Sequence, residues 1–198
     1  MFVSQLSAKK VQRFINLLLL PAVRQNIGNY GKLNYHLYMA LKKCIFKAPA
    51  FFKGFLLPLA AEQCTAKEAA IVGSILAKCS IPILDSSAAL VKLCEMEYSI
   101  GSGHFIKVLI GKKYQLPSQV TARIVEFLHS FVGSEDPLPV MWHQTLLVFV
   151  QNYKYALTHE QRKKLKELTK AQEHHLITPE IRKELYAQSL GAVKREDE

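Results

Sequence analysis

Lys42, Lys43, Lys47 and Lys53 lie in a stretch, NYHLYMALKKCIFKAPAFFKGF (residues 34–55), that also carries Tyr35, Tyr38, Phe46, Phe51, Phe52 and Phe55 and has no Asp or Glu. Ammonium groups neutralise phosphates and exposed rings stack on unpaired bases, so the mixture suits a nucleic-acid backbone. Other groupings invite chemistry and have plainer readings. Asp85, Ser86 and Ser87 mimic a nucleophile cluster, but small polar residues ahead of an apolar run serve as helix N-caps. The glycines of GSGH (residues 101–104) could let backbone N–H groups converge on a phosphate; the simpler expectation is a flexible joint between helices. His174 and His175 are neighbours whose side chains are expected to diverge, which makes a poor metal site. Trp142, beside His143, is expected in a core with one buried partner for its N–H. No G-x-S-x-G, G-x-x-x-x-G-K-[ST] or H-E-x-x-H motif occurs. The chain reads as non-enzymatic, with no cofactor and no metal.

Charge is informative once it is located. The chain has 198 residues and a formal net charge of +10. Residues 1–61 hold nine basic side chains (Lys9, Lys10, Arg13, Arg24, Lys32, Lys42, Lys43, Lys47 and Lys53) and no acid before Glu62. The remainder, with 17 basic and 16 acidic residues, is nearly balanced. The positive field therefore belongs to the first third of a single expected domain, and it implies an anionic partner.

Cys44, Cys64, Cys79 and Cys94 form no C-x-x-C pair and sit among apolar residues. Reduced and buried, each acts as a small hydrophobe. The apolar runs FINLLLLPAV and FLLPLAA are too short to span a bilayer, which takes about 20 residues, and no secretory signal is evident. The expectation is a soluble protein of a reducing compartment.

The elements that must position these groups are helices throughout. Apolar residues recur with a period near 3.6, and nothing of any length alternates with period two. A first helix is expected from Ser4 or Ser7 to Leu20, turning at Pro21 into a short one that ends near Gly28, with NIGNYG as a loop. The next spans residues 33–47; Pro49 opens another, which Pro58 should kink or end. TAKE at Thr65 and THEQ at Thr158 read as capping boxes, and TPEI places Pro179 in the first turn of a last helix from Thr178. Ten or eleven helices with short links predict an all-α fold of stacked antiparallel hairpins, an irregular array of the HEAT or armadillo kind.

Helical geometry then sorts the opening stretch. Leu33, Leu37, Ala40, Leu41 and Cys44 share one face, which must pack inward. Lys32, His36, Lys43 and Lys47 lie on the other side, and Tyr38, Lys42 and Phe46 form an adjoining stripe. Membrane adsorption would need bulky apolar residues facing outward, and here the core claims them. The candidate nucleic-acid-contacting residues are Arg13, Arg24, Lys32, Lys42, Lys43, Lys47 and Lys53. Leu37, Leu41, Ile71, Ile75, Leu90, Leu93, Leu146 and Val150 are the candidate core.

Five stretches carry a family resemblance: LLLPAVRQNI, LNYHLYMALKKCIFKAPAFFKG, AIVGSILAKCSIPILDSSAALVKLCEMEY, LPVMWHQTLLVFVQNYK and ITPEIRKEL. The sequence resembles the bystin family, eukaryotic factors for making the small ribosomal subunit. That resemblance implies a non-catalytic, all-helical protein on the pre-small-subunit (pre-40S) particle. It would sit at the maturing head near the beak and support 18S rRNA processing. Its implied partners are precursor small-subunit rRNA, small-subunit ribosomal proteins and other assembly factors, with no membrane. It also implies joining in the nucleolus and nucleus and leaving late, in the cytoplasm. Bystins usually carry a further N-terminal portion, so either an excised domain or a shortened natural chain is expected. The competing reading is a purely protein-binding helical adaptor whose positive face meets acidic partner segments.

Overall fold

The structure, a computed structural model, describes residues 6–62, 64–134 and 136–186. Among these, every regular element is helical. Ten helical runs follow in order: α1 (residues 8–30), α2 (Tyr35–Ile45), α3 (residues 48–61), α4 (Ala66–Lys78), α5 (Ile83–Glu95), α6 (Ile100–Gly111), α7 (Ser118–His129), α8 (Val140–Tyr153), α9 (His159–Ala171) and α10 (Ile177–Tyr186). The all-α expectation holds. The helices gather into two compact units, residues 1–112 and 113–198. In the first, α1 packs on α3 and α4 on α6; in the second, α7 packs on α9 and α8 on α10. Next-but-one helices thus pair alongside sequential ones.

The prolines act differently from expectation. α1 does not turn at Pro21 and α3 does not end at Pro58; each runs through its proline by way of a π segment, Ile15–Leu19 and Phe52–Leu56. The Leu20 N–H reaches Ile15 O and the Leu57 N–H reaches Phe52 O, five residues back in both cases. The widened turn relieves the clash between a proline ring and the carbonyl four residues before it. For Pro58 that carbonyl is Gly54 O, which accepts instead from Asn16 Nδ2 of α1 at 3.4 Å. A Cβ on Gly54 would lie 2.7 Å from Gln12 O, so glycine is what lets α1 and α3 cross this closely.

Several boundaries also move. α1 continues through Gly28 to Tyr30 and stops where Gly31 takes φ 65°, donating to Ile27 O at 2.8 Å. Ser7 flanks its start; Ser4 lies outside the described residues. α2 covers residues 35–45 rather than 33–47, because Asn34 caps it by accepting from His36 N. GSGH is no joint. α6 begins at Ile100 and runs through it, with Ser99 and Ser102 forming a reciprocal capping box. Gly101 and Gly103 are buried, and a Cβ on either would fall within 2.7 Å of Cys64 or the Tyr98 ring. They are contact glycines. The boxes at Thr65 with Glu68 and Thr158 with Gln161 form as expected. Asp85, Ser86 and Ser87 lie inside α5, which Pro82 flanks, and α10 starts one residue before Thr178.

Leu41, Ile75, Leu90, Leu93, Leu146 and Val150 are buried; Leu37 and Ile71 are only half-buried. Trp142 is fully buried, edge-to-face with Phe131 and His143 at 5.8 and 5.1 Å, with no hydrogen-bond partner for Nε1 among the described residues.

Cys44 and Cys64 are buried as expected, whereas Cys79 and Cys94 are only half-buried. Burial pushes Cys44 up to about 11 and Cys94 up to about 12, and burial together with the nearby Glu68 carboxylate raises Cys64 to about 12. Thiolate is the reactive species, so iodoacetamide near neutral pH should label these three slowly until denaturant is added. Peptide mass spectrometry before and after unfolding reads this; full labelling of Cys64 in the native protein would contradict it.

Candidate nucleic-acid interface

α2 is amphipathic, and its outward face is the candidate site. Leu41, Cys44 and Ile45 are buried against the unit, while Leu33, Leu37 and Ala40 are half-buried. Opposite them, Tyr35, Lys42 and Phe46 follow one another at steps of seven and four, so they lie along one stripe. Phe46 keeps helical backbone angles at the C-cap, which continues the stripe to its end. His36 and Lys43, seven apart, form the adjoining stripe. All five are exposed; Tyr35 at 69% and Phe46 at 87% are rings set in water. Beyond the N-terminus of α2 an open hollow of about 320 Å³ is lined by Asn26, Tyr30, Lys32, Leu33 and Asn34.

The seven expected contact residues separate into two groups. Lys32, Lys42, Lys43, Lys53 and Arg13 are exposed. Arg24 and Lys47 are committed elsewhere. The Arg24 guanidinium bonds Glu62 Oε2 at 2.8 Å and Glu68 Oε1 at 3.0 Å, and it also donates to Glu62 O. Burial works against its charge, but the bonds and field of Glu68 and Glu62 outweigh this and raise its pKa. Burial likewise pushes Glu68 upward, yet bonds from Thr65 and Arg24 win and hold the carboxyl below its ordinary value. Arg24 thus ties α1 to the start of α4. Lys47 was expected to point away from the core; it is half-buried, and its Nζ donates to Leu6 O at 2.5 Å. The chain leaves helical geometry at Lys47 (φ −104°, ψ 64°), which redirects the side chain from the stripe.

Of the two rings expected on the stripe beside Lys42, Phe46 is exposed and Tyr38 is half-buried; Tyr35 is the second exposed ring. The step of seven from Tyr35 to Lys42 was the available signal.

The histidines differ from expectation too. His174 and His175 do not diverge: their rings stack at 4.8 Å, and His143 lies 5.2 Å from His174. His174 Nδ1 accepts from Leu176 N and Ile177 N at the start of α10, which fixes its ring. Among the described residues no three His, Cys, Asp or Glu side chains converge on a metal-sized site. None of the described helices is long and apolar enough to cross a membrane.

Burial, aided by His174, lowers the pKa of His143, and burial with Lys107 lowers that of His104. Both take up a proton less readily in the fold than in the unfolded chain, so below about 6.5 the unfolded chain is protonated first. Their penalty is absent above that pH and grows as pH falls toward the lowered folded values. Thermal melts should therefore show a falling Tm from about pH 7 to about pH 5, with His143→Gln flattening part of the slope. A Tm that rises over that window would contradict this assignment.

The fold and this face define an all-helical protein with a cationic, ring-bearing surface in its first unit. The bystin family model matches residues 1–195. Bystin of Monosiga brevicollis is 52% identical over 186 residues, covering 93% of this chain and 45% of that protein. Human bystin is 50% identical over 185 residues, covering 93% and 42%, and Drosophila melanogaster bystin is 48% identical over 194 residues, covering 98% and 44%. The chain belongs to the bystin family. It spans less than half the length of these relatives.

Proposed function

We propose that the chain acts as a non-catalytic small-ribosomal-subunit assembly factor. It holds precursor small-subunit rRNA through the outward face of α2, and it works beside small-subunit ribosomal proteins and other assembly factors. Head and beak maturation and 18S rRNA processing are the steps it would support, in the nucleolus and nucleus first and in the cytoplasm late. The carrying observation is that Lys32, Lys42 and Lys43 are all exposed in a segment with no acid before Glu62. Ordinary surfaces mix signs, so an unmixed lysine face favours a polyanion. Arg13 and Lys53 are candidate extensions; Arg24 and Lys47 serve the fold.

Ultraviolet cross-linking in purified precursor particles tests this directly. Cross-linked peptides should come from residues 32–53 and carry small-subunit rRNA nucleotides. Cross-links confined to the second unit, or none to RNA, would overturn the assignment. Displacement of the protein by acidic peptides but not by RNA would favour the adaptor reading.

A further inference from the structure

The geometry points to a base-stacking platform: Phe46, seconded by Tyr35, receives unpaired bases of a single-stranded RNA segment whose phosphates lie on Lys42 and Lys43. This rests on the reading that the α2 face binds RNA, and it specifies the kind of RNA. Phe46 is 87% exposed, the highest value among the large apolar side chains of the described residues. A phenyl ring left in water contributes nothing to the core, and its desolvation becomes available to whatever covers it.

Charge complementarity identifies the occupant. Lys42 precedes Phe46 by four residues and Lys43 by three, both within one turn, and α2 carries no acid. A hydrophobic peptide would meet a cationic rim, and a purely acidic one would leave the ring uncovered. A single-stranded nucleic acid supplies both a negative backbone and flat apolar faces. Duplex RNA keeps its bases stacked on one another and offers the ring nothing. Tyr35 lies eleven residues back on the same stripe, about 16 Å along the axis at 1.5 Å per residue. It is held edge-on to His36 at 5.8 Å. The two rings bracket Lys42, so a strand laid along the helix meets ring, charge and ring in turn.

The full chain should be titrated with labelled oligouridylate and with an RNA duplex of equal charge. The wild type should prefer the single strand. Phe46→Ala should weaken oligouridylate binding roughly 5- to 150-fold, the equivalent of 1–3 kcal/mol per stacked base. Its duplex affinity, salt slope and thermal stability should stay unchanged. Phe46→Trp should retain binding, and its indole emission should be quenched by oligouridylate; the native Trp142 is fully buried and supplies the baseline. Equal loss on both RNAs, or no loss on either, would overturn the platform. If Phe46→Ala is silent while charge reversal of Lys42 and Lys43 weakens binding, stacking fails and the phosphate reading stands; if both are silent, the RNA reading of this face fails as well. Binding of an acidic peptide that depends on Phe46, with no RNA binding, would assign the face to a protein.

Discussion

Replacing Lys42 and Lys43 together by glutamate is expected to lower affinity for RNA about tenfold or more near physiological salt, across sequences. Each phosphate contact releases counterions and contributes roughly 0.7–0.9 to the log–log salt slope, so losing two should flatten it by about 1.4–1.8. Both side chains are exposed on α2. The pair sits in the last turn of α2, where cations complement the helix dipole, so the reversal should cost about 1–2 kcal/mol while circular dichroism reports a folded helical protein. Lys47, half-buried and bonded to Leu6 O, is the wrong choice for such a variant because its reversal would disturb the fold. Lys163 and Lys164 supply the control: they are basic but lie on α9 among acids, with Lys164 Nζ 4.0 Å from Glu160. Reversing the control pair should leave affinity and slope nearly unchanged. If the control loses binding and the Lys42/Lys43 variant keeps it, the contact surface is not α2.

Gly54→Ala is expected to destabilise the first unit by roughly 1–3 kcal/mol, the range for overpacking a tight interior. The added Cβ would meet Gln12 O at 2.7 Å and Gln12 Cα at 3.3 Å. Those are backbone atoms of α1, which cannot rotate aside, so α1 and α3 must separate and weaken the bond from Asn16 to Gly54 O. For a chain of this size each kcal/mol shifts Tm by about 2–4 °C, giving a fall of roughly 2–12 °C. Gly28→Ala is the counterpart. It sits within α1 with nothing inside 4 Å of the added Cβ, and alanine there should stabilise by about 0.5–1 kcal/mol. Opposite signs at two helical glycines would show that close approach, and not helix propensity, governs residue 54; shifts of the same sign would refute the crossing.

The sequence by itself determined what depends on near neighbours. The 3.6-residue period and the boxes at Thr65 and Thr158 established an all-α chain, because capping joins residues three apart and amphipathic helices repeat within two turns. The acid-free first third and the lysine stripe of α2 were legible for the same reason, and the matching stretches carried the family. The tertiary structure alone decided which of those charges remain exposed. Arg24 differs from Lys42 only in meeting Glu62 and Glu68, 38 and 44 residues on; Lys47 differs in finding Leu6 O, 41 residues back. It also decided that Pro21 and Pro58 sit inside continuous helices and that Gly101 and Gly103 are packing sites, set against Cys64 and the Tyr98 ring. Phe46 lies on the outward stripe that its step of four from Lys42 predicts, and the packed structure leaves its ring 87% exposed. Periodicity states which face a helix would bury; only the packed partners decide how much of that face, and which charges beside it, are actually taken out of water.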